Sequence, residues 1–141
     1  MCYGEGLAHL GFCSWYSLRS KFGRKEKREF GEMSVFEKME SARNESDAQA
    51  YVDLMAEDFV FVRHQNDTTM NRSETEEMLK NMMSSGGNFG STRCVYENDD
   101  ILVTHSVNDY PDGSREAVLA AYTLRDGKIT RLETGATKLS V

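Results

Sequence analysis

The dipeptide Asp126-Gly127 stands between two runs of alternating apolar and polar side chains, residues 115–125 and 128–139. A two-residue hairpin turn of this kind needs positive φ at both central positions, which aspartate tolerates and glycine favours. The end of the chain is therefore antiparallel sheet, and the turn predicts its register. Arg125 should face Lys128, Leu124 should face Ile129, Tyr122 should face Arg131, and Ala120 should face Glu133. Two further strands are expected over residues 91–97 and 101–108, with Asn98-Asp99-Asp100 and Pro111-Asp112-Gly113 as the turns.

Upstream, the apolar period changes from two to 3.6. Val35, Phe36, Met39 and Ala42 form one stripe, and Ser34 three residues before Glu37 is a capping box that starts a helix. Ala48, Tyr51, Val52 and Met55 form a second stripe, capped by Ser46 with Gln49. Phe59-Val60-Phe61-Val62 reads as a buried strand, bounded by the polar stretch 65–69. A third helix is expected from Ser73, capped by Glu76, with Met78, Leu79, Met82 and Met83 on one face and Gly86-Gly87 as its stop. Helices followed by a strand meander make an α+β fold, with the helices on one side of a bent antiparallel sheet.

Residues 1–32 carry neither period and are punctuated by five glycines. They read as a disordered or non-native extension, because Met33 resembles an initiator placed directly before a helix cap; a targeting or regulatory tail is the alternative. The single domain is then residues 33–141. The extension holds six of the 17 basic and four of the 23 acidic side chains, so residues 33–141 hold 11 against 19, a balance of −8. Such a surface repels a phosphate backbone, which excludes sequence-independent nucleic-acid binding through a basic face. No apolar run approaches the roughly 20 residues needed to cross a bilayer. Cys2, Cys13 and Cys94 are odd in number, and residues 6–12 lack the basic lead of a secretory signal. A reducing, cytoplasmic setting is expected.

Three phrases carry a family resemblance: AYVDLMAEDFVFV, an apolar helix running through an acidic pair into a strand; MNRSETEEMLK, a polar turn and helix; and YTLRDGKITRLE, the last hairpin. With the element order, they resemble the nuclear transport factor 2-like (SnoaL-like) superfamily over about residues 33–141. The resemblance implies a cone-shaped curved antiparallel sheet with three helices enclosing a pocket, and a homodimer formed through the outer sheet face. The superfamily includes isomerases, dehydratases, polyketide cyclases, epoxide hydrolases and non-enzymatic association modules, so fold alone does not select a chemistry.

Strand alternation nominates the candidate side chains. His105 shares a face with Ile101, Val103 and Val107, as a general acid or base or as a satisfied core histidine. If the last hairpin turns its apolar face inward, Tyr122 and Glu133 line the pocket and Arg131 pairs with Glu133; otherwise that pair is a surface salt bridge. Tyr96 and His64 are further ligand-binding candidates. Ketosteroid-isomerising relatives place a catalytic aspartate and then a proline at the end of the first strand. Here Arg63 and His64 stand at those positions, a departure that argues against that chemistry. Arg63 could instead hold a carboxylate or polarise a carbonyl through its planar fork, or simply end a strand in water. His9, His64 and His105 lack zinc spacing, and no glycine-rich loop opens a helix, so neither metal nor cofactor is expected. The expected function is binding of a small molecule and, if catalytic, cofactor-free isomerisation, dehydration or cyclisation with His105 or Glu133 moving the proton. The alternative is a non-catalytic dimeric association module.

Overall fold

The structure, a computed structural model, describes residues 31–86, 88–110 and 112–140, with Asn88 and Phe89 by backbone only. The expected extension up to residue 30 lies outside the described residues. Helix α1 (Val35–Asn44) starts at the capping box read from the sequence: Glu37 N donates to Ser34 Oγ at 3.1 Å, and Ser34 N donates to the Glu37 carboxylate at 2.7 Å. α2 (Ala48–Val52) is capped by Asp47, which accepts from Ala50 N, and not by the expected Ser46. Ser46 has φ of 53°, a left-handed residue that turns the chain between the two helices.

Strand β1 (Met55–Arg63) turns back antiparallel into a short strand β2 (Thr68–Asn71), which the polar sequence had concealed. α3 (Arg72–Ser84) begins one residue before the expected start, because Asn71, two residues ahead of Ser73, caps it and Glu74, not Glu76, completes the box. The meander follows: β3 (Asn88–Glu97), β4 (Ile101–Asp109), β5 (Arg115–Arg125) and β6 (Lys128–Lys138).

The six strands form one curved sheet in the order β2-β1-β6-β5-β4-β3. It is mixed where an antiparallel sheet was expected: β1 runs parallel to β6, pairing Phe61 with Leu132 and Arg63 with Thr134. A chain that leaves β1 through β2 and α3, crosses the meander and returns beside β1 arrives in β1's own direction. Near the start of β3, Gly90 approaches β4 so closely that a Cβ would lie 1.6 Å from the Val107 carbonyl oxygen. Its φ of +57° fits the same requirement for glycine.

The helices cover one face of this sheet. Met39, Val52, Leu102, Ile129 and Thr75 are wholly buried there, and the Thr75 hydroxyl donates to Asn71 O at 2.8 Å. A bulge lies between Thr123 and Leu124. The pairs nearest the turn, Arg125 with Lys128 and Leu124 with Ile129, are those expected, but beyond the bulge the register moves by one residue. Tyr122 faces Leu132, Ala120 faces Thr134, and Glu133 faces Ala121. Because side chains alternate, one inserted residue sends Glu133 to the outer face.

Candidate functional site

The concave face leaves a cavity of about 170 Å³ between the sheet and the helices. Its sheet wall is laid down in rungs. Phe61, Leu132 and Tyr122 form the first; Arg63, Thr134, Ala120 and Thr104 the second; Ala136, Val118 and Ser106 the third. Met78, Leu79 and Met82 of α3 close the cavity from above. The spacing that made these α3 residues one helical stripe is what aims them at the sheet.

The floor carries the polar groups. Tyr51, from α2, hydrogen-bonds to Tyr122, from β5, and both are buried. Burial pushes the Tyr51 phenol well above its ordinary 10.0; the Tyr122 phenol adds to this, while the positive charge of Arg43 opposes it. A hydrogen bond between two phenols uses the proton of only one of them. One O–H of the pair is therefore left for the cavity that both phenols line. Arg43 also lines the floor, donating to Thr92 Oγ1 at 3.1 Å and pairing with Glu40.

The rim is a second polar cluster formed by Arg63, Gln65, Asn108, Tyr110 and Glu116. Burial, first, raises the Tyr110 phenol; it hydrogen-bonds to both Asn108 and Glu116. Gln65 Nε2 donates to the same Glu116 carboxylate at 2.9 Å. Asn108 Oδ1 is buried there without a hydrogen-bond partner. The Arg63 guanidinium lies 6.0 Å over the Phe61 ring.

Of the side chains nominated by sequence, Arg63 and Tyr122 line this cavity, and His64, Tyr96, His105 and Glu133 do not. His105 is half-buried on the outer face, opposite Arg93 and Leu119. Tyr96 is 54 % exposed on the same face, opposite Val103. His64 and Glu133 do come together, at 3.3 Å, but outside the sheet, where Arg131 also donates to Glu133 at 3.2 Å. The Arg131 bond, first, holds the Glu133 carboxyl below its ordinary 4.5. Sequence reasoning missed Tyr51, Arg43, Tyr110 and Glu116. Tyr51 had left a signal, since a phenol on a buried helical stripe must find a partner for its hydroxyl. Among the described residues, no group of three His, Cys, Asp or Glu side chains is placed to hold a metal ion.

Residues 36–132 match the family model described as the SnoaL-like domain. Solved structures share the fold at low identity. A nuclear transport factor 2-like protein of unknown function from Burkholderia xenovorans superposes with a TM-score of 0.60 at 14% identity, covering 76% of this chain and 83% of that one. A candidate ketosteroid isomerase from Kribbella flavida gives 0.59 at 13% identity, covering 76% and 78%. IdmH, a candidate polyketide cyclase from Streptomyces antibioticus, gives 0.58 at 16% identity, covering 72% and 88%. No curated protein matches the chain at a significant level.

Proposed function

The chain belongs to the SnoaL-like domain family, with the nuclear transport factor 2-like α+β fold, and on that premise we propose that it binds a small, largely apolar organic molecule by an oxygen atom. The observation that carries this is the Tyr51–Tyr122 pair at the floor of an otherwise apolar cavity. A buried donor whose own oxygen is already hydrogen-bonded is held ready for a carbonyl oxygen, at the place where a polar contact is worth most.

The same geometry supports cofactor-free proton transfer. Glu116 is the one carboxylate lining the cavity among the described residues. It stands at the rim, six residues from Tyr122 along β5, so the proton it takes comes from a carbon at the rim end of a conjugated ligand; the C–H electron pair moves through the conjugated bonds to the carbonyl oxygen at the floor, and the Tyr122 O–H stabilises that charge. Return of the proton to a different carbon completes an isomerisation. This role passes to Glu116 because His105 and Glu133 lie on the outer face. The candidate isomerase and candidate cyclase among the structural relatives are consistent with chemistry of this type.

The outer face supports a second role. Leu119 and Tyr96 are each 54 % exposed there, with Val103 and Ala121 between them. We assign this surface, His105 included, to a homodimer interface. We also take residues 33–141 as the functional unit, in a reducing cytoplasmic setting where Cys94 stays a thiol.

The test is a thermal-shift titration of the full chain with acetophenone and 2-cyclohexenone. A concentration-dependent rise in the midpoint, lost in Tyr122→Phe, is expected, since a ligand that binds only the native state must stabilise it. No rise with either compound transfers the weight to the dimeric association module.

A further inference from the structure

Arg63 is the last residue of β1, and its side chain leaves the sheet at the cavity rim. Two acids, Glu116 and Asp112, line the outer hollow beside it. Among the described residues, however, no carboxylate lies within salt-bridge distance of its guanidinium. Both acids are engaged elsewhere: Glu116 accepts from Gln65 and Tyr110, and Asp112 accepts from Ser114 N at 2.9 Å and Ser114 Oγ at 2.6 Å. Arg63 instead rests on Phe61, whose ring lies on the cavity wall, so the apolar surface continues directly into a cationic fork.

From this we infer that the ligand is a small oxo acid: its carboxylate sits on Arg63 at the rim, its carbonyl oxygen takes the Tyr122 hydroxyl at the floor, and its apolar body lies between them. The proposal rests on the small-molecule reading of the cavity and adds the charge and polarity of the ligand. On the sheet, Tyr122 and Arg63 stand two strands and one rung apart, or about 12 Å between Cα atoms. Both side chains point into the cavity, so a compact molecule with oxygens at both ends spans the gap. A planar singly charged carboxylate accepts two parallel N–H bonds from a guanidinium. A phosphate dianion fits less well, because Glu116 and Asp112 face the same hollow and repel the second charge.

The experiment compares two isosteric probes, 4-acetylbenzoate and 4-acetylbenzamide, by calorimetric titration of the full chain. They differ in the charge at one end and share the ketone at the other. The benzoate is expected to bind at least about tenfold more tightly, and the preference should shrink as salt is raised. In Arg63→Gln it should fall to within about twofold, with the benzamide affinity little changed. Equal affinities on the unmodified protein, or a preference retained in Arg63→Gln, overturn the inference and leave the cavity reading standing. Binding of neither probe removes the cavity reading and the inference together.

Discussion

Along β4, Leu102, Thr104 and Ser106 are buried beneath the helices, while His105 and its neighbours Val103 and Val107 turn to the outer face. The two faces alternate residue by residue, yet their polar groups live under different rules. Outside, His64, Arg131 and Glu133 pair with one another in water, where an ion pair is worth little. Inside, Tyr51, Tyr122 and Arg43 are held by bonds that cross from helix to sheet. A group able to act on a ligand here is one whose partner comes from another layer, because that partner fixes it where water is scarce.

The largest expected effect separates the faces by stability. Leu102→Ala should cost about 2–5 kcal/mol, since a wholly buried side chain leaves a cavity behind. Leu119→Ala, one strand away on the other face, should change monomer stability by less than about 0.5 kcal/mol. Denaturant midpoints measure both. A large, concentration-dependent loss in Leu119→Ala would mean that the outer face is buried against a second copy, which is the assigned interface.

The floor pair comes next. Tyr122→Phe leaves the buried Tyr51 hydroxyl without the phenol it bonds to, at a cost of about 1–3 kcal/mol. Removing both hydroxyls should cost no more than that single change, because no donor is then stranded. A double variant clearly less stable than Tyr122→Phe would show that the two phenols do not act as a pair.

How much of this was legible depended on whether a signal was local. The helices, the strand meander and the last hairpin's turn follow from period and turn chemistry, which act over a few residues. The cap of α1 was readable for the same reason. The bulge at Thr123–Leu124 was not, since nothing in the residues there marks an inserted position. That one step misplaced Glu133. His105 was misplaced for a different reason: the more apolar face of β4, with Ile101, Val103 and Val107, is the outer one, while the helices cover Leu102, Thr104 and Ser106, so apolar alternation pointed to the wrong side. β2 was hidden because a short edge strand carries polar side chains. Tyr51 meets Tyr122 only through packing of distant segments, and no spacing records that.

The faces should also differ in the direction of their pH response. Tyr51's phenol is raised in the folded state, so its contribution is complete below pH 10.0 and is lost as pH climbs from there towards the folded value. Tyr51→Phe should flatten that alkaline limb. Glu133's carboxyl is lowered, so its contribution is present above pH 4.5 and disappears as pH falls through the folded value. Glu133→Gln should flatten the acid limb and leave the alkaline one unchanged. Midpoints recorded from pH 3 to 11 on the two variants test both signs; the same limb altered in both variants would break the assignment.

The smallest expected effect is the sharpest on the site itself. A histidine is the commonest proton carrier in cofactor-free chemistry, and His105 would fill that place if it faced the cavity. It stands instead between Leu119 and Arg93 on the outer face, with the sheet's backbone between it and Tyr122. His105→Gln should therefore leave the affinity for acetophenone within about twofold, a shift of less than about 0.5 kcal/mol, whereas Tyr122→Phe lowers it about tenfold. If His105→Gln weakened binding as much as Tyr122→Phe, the ligand would have to reach the outer face. The contrast between an inner face that binds and an outer face that pairs would then be wrong at its centre.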